Sequence, residues 1–261
     1  MIKTRLVALT FAVALAPAVA LTLGACESED TTPSAAADAL TAEQVVARHL
    51  DAIGGEARWK AMQSLELHGA YTQGGETHEF HAYRARPNKF RKEGVHDGKP
   101  FVKVFDGVRG FKRSGDGEFE PIPAEHAAKM AAYAEFDDAL IDAERRGIKV
   151  ALVGVEEAAG APAYHLEVTL ADGDVEHRYL DRTTFLDVMR RRTYKDKDGK
   201  EAEAVSTFSD WREVDGIKIN FAAASEHGGE KSSMTLKEVK VDQAIEPAIF
   251  SAAPRVSAAW P

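Results

Sequence analysis

The chain holds one cysteine in 261 residues, no Gly-x-Ser-x-Gly elbow, no phosphate-binding glycine loop and only one dense basic run, Arg190-Arg191-Arg192. Each scarcity removes a class of function. Without the elbow or the loop there is no local motif for acyl transfer or nucleotide binding. A formal charge of −9 repels nucleic acid unless basic side chains are segregated on one surface. An alternating strand would divide the triple arginine between two faces, so nucleic acid is set aside as a partner.

What is present begins with the lone cysteine. Cys26 closes Leu23-Gly24-Ala25-Cys26, behind Lys3, Arg5 and an apolar run from Leu6, the arrangement of a lipoprotein signal peptide over residues 1–25. A membrane-spanning helix of about 18 residues is the competing reading. Pro17 interrupts the run and small residues end it, which favours cleavage before Cys26. An ordinary secreted chain would carry an unpaired thiol, whereas a thioether-linked diacylglycerol consumes it. The residue after Cys26 is Glu27, not the aspartate tied to inner-membrane retention in some bacteria. The expected location is therefore the cell envelope, on the outer membrane and facing the periplasm, with the N-terminal lipid as the membrane contact.

Residues 26–40 follow as the lipidated cysteine and a tether of small and acidic residues without apolar periodicity. Residues 41–261 have a length suited to one domain. Thr41 and Gln44 predict a capping box. Val45, Val46, His49, Leu50 and Ile53 then recur at helical spacing before Gly54-Gly55, and a second short helical stretch runs from Ala57 to Gln63. From Ser64 the period becomes 2, and five strands are expected between turns at Gly74-Gly75, Pro87-Asn88, Asp97-Gly98, Asp106-Gly107 and Asp116-Gly117. Pro121-Ile122-Pro123 interrupts this meander. Ala124 to Arg146 reads as one long helix stopped by Gly147, after which alternating strands resume to Val241. The expected fold is α+β and mainly antiparallel β, a curled, unclosed half-barrel of about ten strands with N-terminal and inserted lid helices.

Candidate chemistry is sparse. His78-Glu79-Phe80-His81 is one residue too short for the helical zinc-protease motif, and on a strand its two imidazoles face opposite ways. Asp196-Lys197-Asp198-Gly199 lacks the later ligands of a calcium loop. Asp137-Asp138 and Glu118/Glu120 have no partner visible in sequence. The reading is of a non-enzyme without metal or cofactor.

Residues 41–253 resemble the LolA/LolB-like superfamily of outer-membrane lipoprotein-sorting proteins. The stretches that carry the likeness are Leu50-Asp51-Ala52-Ile53-Gly54-Gly55, Arg84-Ala85-Arg86-Pro87-Asn88-Lys89-Phe90-Arg91, Phe105-Asp106-Gly107-Val108-Arg109-Gly110-Phe111 and Phe208 to Ile219. Ile249-Phe250-Ser251 looks like the closing strand of that family. The resemblance implies an apolar inner face, covered by helices, that holds acyl chains without a cofactor or covalent chemistry. It also implies a lid-latching arginine. Arg84 and Arg86 lie in the corresponding region, with exposed strand arginines as the competing reading.

Two functional expectations follow. In the first, lipid or lipoprotein acyl chains bind a cavity formed by Leu65, Leu67, Phe80, Phe105, Tyr164, Leu166, Ile217 and Ile219 on the sheet and Met130, Tyr133 and Phe136 on the lid, for lipoprotein sorting or lipid transfer. In the second, the same face is solid core, and the lipoprotein senses or scaffolds an envelope protein partner through its acidic exterior.

Overall fold

The structure, a computed structural model, describes residues 40–252 apart from Asp97, 124–125, 127–129, 132–133 and 196–198. Helix α1 (Ala42–Ala52) starts where the sequence places it. Thr41 Oγ1 accepts from the Gln44 amide at 3.3 Å, while Gln44 Oε1 accepts from the Thr41 amide at 2.9 Å. The helix buries Val45, His49 and Leu50. It ends at Ile53, whose carbonyl accepts from the Lys218 amide at 2.9 Å. Gly54 follows at φ 111°, and a Cβ there would lie 2.2 Å from the Gly216 carbonyl oxygen, so this close approach demands glycine. Helix α2 (Glu56–Ala61) carries Trp59, whose indole N–H also donates to the Ile53 carbonyl.

Thirteen strands form one sheet among the described residues. The first six are β1 (Ser64–Gln73), β2 (Glu76–Ala85), β3 (Lys89–His96), β4 (Lys99–Phe105), β5 (Gly110–Ser114) and β6 (Glu120–Pro121). The rest are β7 (Lys149–Ala158), β8 (Ala161–Thr169), β9 (Val175–Asp181), β10 (Asp187–Lys195), β11 (Glu201–Val214), β12 (Ile217–His227) and β13 (Glu230–Val241). Their order is β6-β5-β4-β3-β2-β1-β13-β12-β11-β10-β9-β8-β7, antiparallel throughout. Strands β6 and β7 are the two edges, so the sheet is unclosed. Bulges in β13 opposite His68/Gly69, at Leu152/Gly154 in β7 and at Asp187/Met189 in β10 add local twist. This is the curled half-barrel expected from sequence, with thirteen strands in place of about ten.

The single long connection runs from β6 to β7, between the two edges, and lies over the inner face. Its path corrects the expectation of one helix to Arg146. His126, Met130, Ala131 and Ala134 are helical, but the chain leaves the helix at Glu135 and continues in turns to Gly147. Asp138 Oδ1 accepts from the Leu140 amide at 2.9 Å, a side-chain-to-backbone bond that competes with the helical ladder. The turn also lets Phe136 enter one apolar cluster and Leu140 and Ile141 another.

A second correction concerns the C-terminal stretch. Pro247–Phe250 is a 3-10 turn, not a closing strand. Ile249 and Phe250 pack with Val104 on the outer face, and Arg91 Nη1 donates to the Ile249 carbonyl at 3.1 Å. Strand β1 already pairs on both sides, with β2 and β13, so its edges are taken.

Candidate ligand-binding face

The inner face divides into two apolar clusters. In the first, Leu65, Phe80, Phe105 and Ile217 from the sheet meet Met130 and Phe136 from the connection, with Leu67 and Ile219 partly buried against them. Tyr164 and Leu166 are not part of it. They lie in the second cluster with Val45 and Leu50 of α1 and with Leu140 and Ile141, because β8 is next to the far edge of the sheet. Trp59 packs against both clusters. Tyr133 and Cys26 fall outside the described residues. The first cluster is filled: Phe80 is 2% and Phe136 5% exposed. Its lid is seated closely, since at Gly110 a Cβ would stand 3.3 Å from Ile122 and 3.5 Å from Met130.

Two arginine–aspartate contacts fix the connection to the sheet. Arg86, which follows β2, donates to both Asp137 oxygens, at 2.9 and 2.5 Å, and to the carbonyls of Met62 and Trp59. Its guanidinium stacks on the Phe136 ring at 4.6 Å, and the hydrogen bond to Asp137 raises its pKa. Arg84 reaches the same segment through the Glu135 carbonyl at 3.4 Å. Both arginines therefore face the connection, and Arg86 ties it to the sheet through a bidentate carboxylate pair.

The second contact is deeper. Arg178 of β9, fully buried, donates through Nη1 to Asp138 at 2.7 Å and through Nε to Asp187 at 3.1 Å, with Nη2 bridging the two carboxylates. Arg190 adds Nη2 contacts to Asp187 at 2.8 Å and Asp138 at 3.3 Å. Burial alone would raise the Asp138 and Asp187 carboxyls. Arg178 and Arg190 outweigh it and hold both far below the usual carboxylate range. Beside them His49 offers Nδ1 to the Phe185 carbonyl at 2.8 Å, and burial lowers its pKa. His49, Asp138 and Asp187 are close enough to suggest a metal, but the Arg178 guanidinium already supplies the cation between the two carboxylates.

The histidines noted in sequence separate by face. His81 stacks on His68 at 4.2 Å, while His78 packs with His96 and Tyr71.

Beyond the lid, toward the far ends of β1–β5, the same face opens into a groove of about 770 Å³ whose lining includes Tyr71, Lys92, Phe101, Lys103, Lys112 and Glu120. This is within the range of small-molecule sites. Sequence reading missed this groove and the buried ion network. A signal for part of the first existed: Lys92 and Lys103 are equidistant from the Asp97-Gly98 turn, whereas the Lys103–Lys112 register is centred between Gly107 and Val108, not on the Asp106-Gly107 pair.

No family model matches the sequence, and no curated protein matches it. Comparison of the fold is informative. A DUF1329 family protein from Desulfovibrio piger aligns at TM-score 0.56 with 14% identity, over 82% of this chain and 98% of its own. A LolA superfamily protein from Nitrosomonas europaea aligns at 0.54 with 13% identity, over 82% and 98%. The fold is LolA/LolB-like. A domain assigned to outer-membrane lipoprotein sorting from Vibrio parahaemolyticus has the same similarity, at TM-score 0.55 and 10% identity, over 80% of this chain and 95% of that one. At these identities the likeness describes the LolA/LolB-like architecture and leaves the ligand to be argued from this chain's own residues.

Proposed function

We propose that this chain is a lipid-anchored envelope protein that binds lipid or lipoprotein acyl chains beneath the β6–β7 connection, without catalysis. Residues 1–25 are the leader, Cys26 carries the lipid, residues 26–40 are the tether and 41–261 the binding domain, held at the outer membrane facing the periplasm. The observation that supports it most is the Arg86–Asp137 latch: a connection joining the two sheet edges, seated on apolar residues and held on this side by a part-exposed ion pair, is a hinged cover. An acyl chain displacing Met130 and Phe136 would gain about 0.8 kcal/mol per buried methylene. Binding is therefore expected to scale with chain length more than with detailed shape.

The tight packing of the first cluster favours a second reading, a sensing or scaffolding lipoprotein with a solid core. Native mass spectrometry of protein taken from its own membrane, followed by delipidation and re-addition of fatty acids of graded length, separates them. Bound lipid and affinity rising with chain length support the carrier; a protein that neither carries nor takes up lipid is the scaffold.

A further inference from the structure

The groove beside the lid has an arrangement that the packing of the fold does not require. Lys92 of β3 lies directly opposite Lys103 of β4, and Lys103 directly opposite Lys112 of β5, so three ammonium groups stand side by side on one face. Like charges in direct cross-strand register destabilise a sheet. Lys112 has Glu120 at 3.8 Å, but among the described residues neither Lys92 nor Lys103 is paired with a carboxylate. The Lys92 ammonium instead sits over two rings, 4.9 Å from Tyr71 and 4.5 Å from Phe80. Burial and then Lys103 pull its pKa below the usual lysine value, the sign of a cation lacking its counter-charge. With Lys99 and Arg113, the described lining holds five cationic side chains against Glu118 and Glu120. This occurs in a chain of net charge −9.

The apolar side of the groove leads inward. Phe80 belongs to the first cluster and Tyr71 packs against it, so the rings under Lys92 join the cationic ladder to the apolar interior beneath the lid. We propose that the Lys92–Lys103–Lys112 ladder receives the anionic head group of an amphiphile whose acyl chain enters that interior. The proposal rests on the acyl-binding reading and adds a head-group class to it. Phosphate and carboxylate share the chemistry that three ammonium groups recognise: oxygens carrying negative charge, held by charge-assisted hydrogen bonds.

The test uses the full chain captured on a sensor surface, with monomeric lysophosphatidylglycerol, lysophosphatidylcholine of the same chain length, a neutral maltoside and inorganic phosphate as probes. The expected result is affinity for the anionic lysolipid roughly tenfold above the zwitterionic one, falling with added salt. Lys103→Glu, at an exposed position that no packing depends on, should abolish this preference while leaving maltoside binding unchanged. Lys92→Met, which keeps the apolar stem over Tyr71 and Phe80, should act the same way. Equal binding of all three amphiphiles, unaffected by either substitution, overturns the head-group assignment and leaves acyl binding intact. Phosphate binding as tightly as the lysolipid also overturns it, since the chain then contributes nothing. Failure of every amphiphile to bind overturns both readings.

Discussion

Asp137 and Asp138 are adjacent in sequence, yet their carboxylates bind arginines on opposite halves of the sheet, Asp137 with Arg86 after β2 and Asp138 with Arg178 in β9. The two anchorages differ in depth. The Arg86 and Asp137 side chains are about one-fifth exposed, whereas Arg178 is wholly buried. The Arg86 side of the connection is thus the shallower anchorage and the Arg178 side the deeper.

The shallow contact is the first to test. Arg86→Gln removes both bonds to Asp137 and the stacking on Phe136. Solvent screening limits the ion-pair share of the lost global stability to about 1 kcal/mol, beside the lost bonds to the Met62 and Trp59 carbonyls. Local opening should rise far more, read as faster amide hydrogen exchange at Met130, Ala131 and Ala134 with little change at Val45 and Leu50. Uniform acceleration across both groups would mean that Arg86 supports the whole fold and is not a latch.

The deep contact behaves differently. Arg178→Met leaves Asp138 and Asp187 buried with only Arg190 as counter-charge, and breaking a buried pair from one side costs about 3–5 kcal/mol. A large drop in denaturant midpoint is expected. Asp138→Asn should cost less, since Asp187 continues to neutralise Arg178.

Much of this architecture is legible in the residue pattern. The capping box, the period-2 runs and the Asp-Gly turns fix where α1 and the strands lie, because each depends on neighbours only a few positions away. Strand order is another matter: nothing in the period of Tyr164 and Leu166 tells that β8 lies near the far edge, in a different cluster from Leu65. The end of the lid helix was equally hidden. Asp137 and Asp138 look like ordinary exposed helical acids until arginines 51 and 40 residues distant are brought beside them. The lysine ladder stands between these cases: the Lys92–Lys103 register follows from the Asp97-Gly98 turn that is plain in the sequence, whereas the Lys103–Lys112 register is offset from Asp106-Gly107 by the longer loop actually formed.

Acid sensitivity follows from the same network. His49 is buried with a lowered pKa, so the unfolded chain takes up its proton first. Stability from the neutral imidazole is complete above the unfolded value, near 6.5, and falls as pH drops below it. Asp138 and Asp187 have depressed pKa values. Their contribution is present above the unfolded value of about 3.9 and is lost on further acidification. Denaturant midpoints should decline in two stages, one below about pH 6.5 and one below about 4. Burial also lowers the pKa values of His81 and His165, so His49→Gln should reduce the first stage and leave the second; a first stage that persists at full size would assign it to the other histidines.

The anchor is tested separately from the domain. Without the Cys26 thiol no diacylglycerol can be attached, and a peptidase that requires the lipidated precursor has no substrate. Cys26→Ser is expected to yield an unprocessed or soluble species, followed by membrane fractionation and intact mass. Normal processing with retention in the membrane would show that residues 1–25 act in another way.

Phe136 decides between carrier and scaffold. It is buried in the first cluster and covered by the Arg86 guanidinium, so truncating it in a solid core should cost the ~3–5 kcal/mol typical of a buried aromatic. A lid drawn from a less stable part of the fold already opens in the native state, and part of that contact is then missing from the average structure. In the carrier, Phe136→Ala should lower the denaturant midpoint by less than the full amount while weakening acyl-chain retention. Tyr133→Ala, in the same segment of sequence, should follow the same pattern. Both quantities are to be measured on the same samples, because either alone is ambiguous. A full stability loss together with absent or unchanged lipid binding would sink the carrier and leave the scaffold.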